Sequence, residues 1–324
     1  MAKHYDVFNG DADGICALIQ LRLAEPREAE LVTGVKRDVS LVSRLPDAGL
    51  GQVTVLDISF DKNRKEVERV LNGASEIFYC DHHFPGDVPE HEKLTVLIKT
   101  DANVCTCIMV NGQLGGAYAA WAVVGAYGDN LDTSAQAVAR PLDLDSKTLD
   151  LYKRLGTYAN YNGYGAALED LHFHTGELYQ LMSCYPRPED FVADAKTSFD
   201  RLESGYLDDM ARADAIAPEW EHEAAAVYVL PEAAWSRRVS GVFGNALAKA
   251  NPRRGHAVLT EKANGHYLVS VRAPLDDKRD ADTICRQFET GGGRSAAAGV
   301  NDLPPSELDR FIGTLTETYG QPTA

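Results

Sequence analysis

Over the first hundred positions, short apolar runs of strand length alternate with longer runs of helical length. The stretches "YDVF" (5–8), "VTVLDIS" (53–59), "EIFYC" (76–80) and "TVLIK" (95–99) predict strands. Between them, "GICALIQLRLAE" (14–25) is apolar almost throughout and predicts a buried helix, whereas "KNRKEVERVLN" (62–72) predicts an amphipathic one. Parallel neighbours need crossover connections, usually helical, so this rhythm predicts an α/β domain with a doubly wound, mostly parallel sheet covered on both faces.

From "GGAYAAWAVVGAY" (115–127) to about residue 180 the pattern is helical, broken by a turn at "YANYNGYG". Two prolines in "CYPRPED" and the polar helical run after it mark a connector over 186–222, which separates an N-terminal domain of 1–185 from a C-terminal one of 223–324. In the latter "AAVYVLP" predicts a strand, "SGVFGNALAKA" a helix, and "HAVLTEK" with "GHYLVSVRAP" a hairpin turning at Asn264–Gly265. A smaller α/β domain is expected there.

With 324 residues and 44% hydrophobic content the chain can build two ordinary cores. Its apolar runs stop short of the about 20 residues that span a bilayer, and no basic-then-apolar leader opens it, so a cytoplasmic protein without membrane attachment is expected. Six scattered cysteines, mostly in apolar stretches, fit a reducing compartment better than a disulfide framework. Acids outnumber Lys and Arg by 48 to 32, a net charge of −16, which disfavours tight nonspecific binding along a nucleic-acid backbone but leaves room for a short anionic substrate.

Three of the predicted strands end in acids. "YDVFNGDAD" brings Asp11 and Asp13, "VTVLDIS" brings Asp57, and "EIFYCDHH" brings Asp81, His82 and His83. In a parallel sheet these ends share one rim, and crowded carboxylates there call for a cation. Gly10 and Gly14 are expected to relax the backbone beside Asp11 and Asp13. Taken singly, each motif has a simpler reading: the aspartates as turn or helix N-cap residues, the histidine pair as a surface turn. Independent caps have no reason to recur in this order.

"NGDADG", "LDIS" and "DHH" resemble the first three motifs of the DHH phosphoesterases, "AVVGAYGDN" with Asp129 is similar to the fourth, and "GGGRSAAAG" (291–299) resembles the glycine-rich signature of the DHHA1-type domain that accompanies them in RecJ-like and oligoribonuclease-like members. The resemblance spans nearly the whole chain. It implies an active site in a cleft between two domains, holding two divalent metal ions, manganese above all, with magnesium also suited to the donors. By motif position Asn9 and Asp11 would bind one ion, Asp13, His82 and Asp129 the other, and Asp57 both. His83 would act on the scissile phosphate or its leaving oxygen, with Asp81 orienting a neighbouring histidine. Gly291, Gly292, Gly293, Arg294 and Arg272 would contact substrate.

Two positions depart from the family pattern. Asn9 stands where a His is usual and offers a neutral, weaker oxygen donor; Arg294 stands where a His usually follows the glycines and offers a fork for phosphate. The implied activity is a hydrolase acting on phosphate esters, a phosphodiesterase or nuclease cutting nucleotides or short single-stranded oligonucleotides, with no obligate protein partner evident. The alternative is a noncatalytic nucleotide-binding or regulatory DHH-like protein.

Overall fold

The computed structural model of the chain describes residues 2–320. It divides into two compact units, Met1–Gly205 and Tyr206–Ala324.

In the first unit the chain runs through β1 (Lys3–Asn9), α1 (Ala12–Ala24), β2 (Glu30–Gly34), β3 (Leu50–Leu56), α2 (Phe60–Leu71), β4 (Glu76–Asp81) and β5 (Leu94–Ile98). All strand pairs are parallel, in the order β2-β1-β3-β4-β5. The doubly wound sheet predicted from the pattern is thus present. The pattern assigned no strand between α1 and β3; β2 lies at the sheet edge, where Leu31 and Val32 are only half buried, so its apolar signal is weak.

Tyr5, Val7, Val53, Val55, Ile77 and Tyr79 point to one face and pack under α2, against Phe60, Val67 and Val70. The other face meets α1, which is buried from Ala12 through Leu21 and therefore carries no polar stripe. A buried ion pair ties that helix down: Arg22 donates from Nε and Nη2 to both oxygens of Asp6 on β1, at 2.8 and 2.7 Å, and from Nη2 to Thr54 Oγ1 on β3. Beyond β5 come α3 (Thr106–Gln113), α4 (Ala119–Gly128), α5 (Asp132–Ala139), α6 (Ser146–Asn162), α7 (Thr175–Ser183) and α8 (Pro188–Asp194). The segment expected to connect the domains is helical, and α9 (Lys196–Asp214) crosses the unit boundary.

The second unit continues with β6 (Trp220–Glu221), β7 (Ala225–Leu230), α10 (Ala234–Ala250), β8 (Gly255–Glu261), β9 (Tyr267–Arg272), α11 (Ala281–Cys285), β10 (Gly291–Arg294), β11 (Ala297–Leu303) and α12 (Leu308–Gly320). Its sheet is mixed, in the order β10-β11-β9-β8-β7-β6, with β7 and β8 parallel around α10. Val239 and Phe243 of α10 cover one face; Ile284, Phe311 and Leu315 cover the other. No helix among the described residues is long and apolar enough to cross a membrane.

His256 on β8 is buried, and neither ring nitrogen has a partner among the described residues. Burial lowers its pKa from 6.5 to about 4, with a smaller push from Arg254. The unfolded chain therefore takes up the proton first as pH falls, and stability is lost between about pH 6.5 and pH 4. Thermal unfolding of His256→Leu should be flatter with pH across that window than that of the wild type; parallel curves would show that this imidazole does not set the acid limit.

Candidate metal centre

The acid-ended strands β1, β3 and β4 are immediate neighbours in the sheet, and their ends lie within one residue of register, Phe8 opposite Leu56 and Leu56 opposite Cys80. The chain reverses direction across the sheet between β1 and β3. Ligands of open α/β sheets collect outside the carboxyl ends at such a point. Here it is flanked by Asp11 and Asp13 on one side and Asp57 on the other.

Local chemistry places each acid. Asp11 is the N-cap of α1, its Oδ1 accepting from the backbone N–H groups of Asp13 and Gly14 at 3.0 and 3.1 Å. Asp13 is held by a different helix: its two oxygens accept from the N–H groups of Thr106 and Cys107 in the first turn of α3, at 2.8 and 2.7 Å. Neither Gly10 nor Gly14 has a positive φ, so backbone freedom is not what they supply. A Cβ at Gly14 would lie 2.3 Å from the carbonyl oxygen of Asn9, and one at Gly10 would lie 2.1 Å from that of Gly34; glycine is needed for close approach.

Asp57 follows β3 in a left-handed conformation, φ 57°, uncommon for a residue with a side chain. Its Oδ1 is buried without a hydrogen-bond partner and lies 3.3 Å from His82 Nε2. Burial, then the charges of Asp11, Asp13, Asp129 and Asp81, push its carboxyl well above the ordinary range. Asp129 caps the C-terminus of α4, which ends as Asn130 turns left-handed at φ 62°; burial raises its carboxyl also.

The two histidines are oriented oppositely. His82 Nδ1 faces the Val104 carbonyl at 3.1 Å, so that nitrogen carries the proton and Nε2 is turned toward the acids as a lone pair. His83 Nδ1 instead donates to Asp81 Oδ1 at 2.7 Å, and its side chain is 36% exposed, with the ring open to an incoming molecule. Asp81, fully buried, also accepts the His82 N–H at 2.8 Å.

Two donor triads result, Asp13–His82–Asp129 and Asp57–His82–His83, each with its ligand atoms within 4.8 Å of one another. Carboxylate oxygens with one imidazole suit a hard divalent ion, and the unpartnered Asp57 oxygen is the kind of buried acceptor that a cation satisfies. Cys105 and Cys107 also lie close to Asp13; the contact with Cys107 lowers the Cys105 thiol, but burial and the Asp13 charge together outweigh it and push it up to about 12.

Asn9 is buried beside these groups, yet its amide is engaged: Oδ1 accepts from Asp11 N–H at 3.3 Å and Nδ2 donates to the Lys36 carbonyl at 3.4 Å. Two residues without a sequence signature complete the cluster. Lys36, just past β2, reaches Asp11 Oδ2 at 2.5 Å, and Asn160 on α6 accepts from the same ammonium at 3.0 Å.

In the second unit the glycine-rich stretch begins as strand β10, paired antiparallel with β11 and with Arg294 exposed at the hairpin tip. A Cβ at Gly291 would meet the carbonyl oxygen of Cys285, at the end of α11, at 1.7 Å, and one at Gly293 would meet the Ala298 Cα across the hairpin at 2.4 Å, so close backbone approach requires both glycines. Gly292 has open space where a Cβ would go. Arg272 is held inside the unit by Asn245 Oδ1, Ser270 Oγ and the Val271 carbonyl.

No protein-family model matches the chain, and no curated protein sequence does. Solved structures do. The exonuclease RecJ bound to manganese matches with a TM-score of 0.67 at 16% identity, over 99% of this chain and 91% of that one. RecJ from Thermus thermophilus in complex with Mn2+ gives the same TM-score and identity, over 99% of this chain and 53% of its own. The pGpG-specific phosphodiesterase PggH from Vibrio cholerae follows at a TM-score of 0.59 and 13% identity, over 98% and 99%.

Proposed function

On the premise that the chain has the RecJ-like DHH phosphoesterase fold, we propose that it is a metal-dependent phosphohydrolase acting on nucleotides or short oligonucleotides. The observation that carries this reading is the buried, unpartnered Asp57 oxygen facing His82 Nε2 among three further aspartates. Asp13, His82 and Asp129, with Asp57 beside them, are the residues that would hold a divalent ion, manganese by the donor set and by the RecJ structures. Such an ion polarises a phosphoryl group and activates a water nucleophile.

The chain's own groups do the rest. Asp81 holds the His83 Nδ1–H and leaves Nε2 facing outward, so that His83 in its imidazolium form would pass the Nε2 proton to the leaving oxygen and return to the neutral Nδ1–H tautomer. Phe84 follows directly and is 74% exposed, an apolar ring next to the reacting group on which a base can stack. In the second unit Arg294 and the open backbone at Gly292 are the proposed grip on a substrate phosphate. A net charge of −16 favours substrates of a few nucleotides over long strands.

Hydrolysis of a generic phosphodiester should stop with a chelator and return with manganese, and a screen of short oligonucleotides, cyclic dinucleotides and nucleotide bisphosphates should find the substrate. Nucleotide binding without turnover in manganese would instead make the chain a noncatalytic binder. Phe84→Ala should raise KM for the best nucleotide roughly tenfold, as loss of one stacked base predicts, while a base-free phosphodiester is affected far less. Equal losses on both would remove the stacking role.

A further inference from the structure

The DHH resemblance implies two divalent ions, but the oxygen that Asp11 would offer the first already holds a cation, whereas the oxygens of Asp13 accept only from backbone N–H groups. Asp11 spends Oδ1 on the N–H groups of Asp13 and Gly14, and its Oδ2 accepts from the Lys36 ammonium at 2.5 Å. Asn9, the other donor implied for that ion, spends its amide oxygen on the Asp11 N–H.

We propose that the Lys36 ammonium stands permanently in the place of that first cation, so that the centre takes a single divalent ion. The inference rests on the metal-dependent reading above. It is carried by how the ammonium is held: Asn160 Oδ1 accepts from it at 3.0 Å, Asp129 Oδ1 faces it at 3.8 Å, and the Tyr164 ring lies 5.4 Å away. These partners come from α1, α4, α6 and the turn after α6, while the Lys36 backbone N–H is tied to the Gly163 carbonyl at 2.8 Å. A long cationic side chain on the surface would sweep freely; this one is pinned from its backbone to its tip.

Charge argues the same way. A second ion at Asp11 would meet the Lys36 ammonium at contact distance, and like charges so close in a buried site repel strongly. The remaining donors are Asp13, His82 and Asp129, whose ligand atoms lie within 4.8 Å of one another, and the unpartnered Asp57 oxygen lies 3.3 Å from His82 Nε2.

The full-length chain titrated with Mn2+ alone decides the matter, by calorimetry for the count and by electron paramagnetic resonance for the coupling between ions. The wild type should bind one ion per chain, with the spectrum of isolated Mn2+. Lys36→Met should bind two, with an exchange-coupled signal, and Lys36→Arg, which keeps the charge, should still bind one. Two coupled ions on the wild type would overturn the inference, as would a count of one in a folded Lys36→Met. If Lys36→Met does not fold, Lys36→Gln serves in its place, and the wild-type count decides by itself. No bound ion on the wild type would overturn the metal-dependent reading as well, so the two failures are told apart.

Discussion

Asp57→Asn should reduce turnover to background and remove the stabilisation that manganese confers. Asparagine tolerates the left-handed backbone at this position, whereas alanine would add strain to the loss of charge. What is lost is the negative charge of the carboxylate whose buried, unpartnered oxygen is turned toward His82. A second consequence has the opposite sign. Burial and four neighbouring acids hold the Asp57 carboxyl above its unfolded value, so the folded, metal-free protein keeps a proton that the unfolded chain releases near pH 4. Stability of the metal-free protein should therefore fall as pH rises from about 4 toward neutrality, and added manganese should restore it by binding only the folded state. Asp57→Asn should be more stable than the wild type without metal at neutral pH and gain little from manganese. Thermal unfolding with and without Mn2+ checks both signs; a variant that still turns over, or that manganese still stabilises in full, would sink the assignment.

His83→Ala should cost roughly 10²–10⁴-fold in turnover with manganese content unchanged, because its Nδ1 is committed to Asp81 and its Nε2 is the atom proposed to act on substrate. The leaving group provides the discriminating measurement. An ester with a nitrophenolate leaving group needs little help from an acid, so the loss should shrink there and be largest for an alkoxide such as a ribose oxygen. Asp81→Asn should follow the same pattern with a smaller loss, roughly 10–100-fold, as expected of a residue that orients the ring. Equal losses on both esters would deny His83 the role of acid, and metal lost in proportion to activity would make it a ligand instead.

The rim of acids was legible in the chain because its signals are local. Each of β1, β3 and β4 is a short apolar run that stops at a polar residue, and "GDADG", "LDIS" and "DHH" sit directly at those stops. The hairpin of β8 and β9 was equally plain from its Asn-Gly turn, since φ is positive at Gly265. Where the pattern was silent, the cause is physical. An edge strand buries only part of its side chains, so β2 carries too few apolar residues to announce itself, and Lys36 at its end went unassigned with it.

The chain by itself determined which residue types reach the carboxyl rim, because strand ends and motif spacing depend on neighbours a few positions away. Tertiary structure alone decided how they are used. Lys36 meets Asp11 across 25 positions and Asn160 across 124, and the first turn of α3 reaches Asp13 across more than 90. Such encounters follow from the crossovers and helix packing of the folded chain, and no period or spacing encodes them. The same holds for the glycines: "GGG" announces freedom, but only the folded unit shows that Gly291 is required by its approach to α11 and Gly293 by its approach to β11, while Gly292 is left open. Side chains acquire their charge environment, their partners and their tautomers from groups brought together only by folding, which is why composition names the donors and the fold assigns their roles.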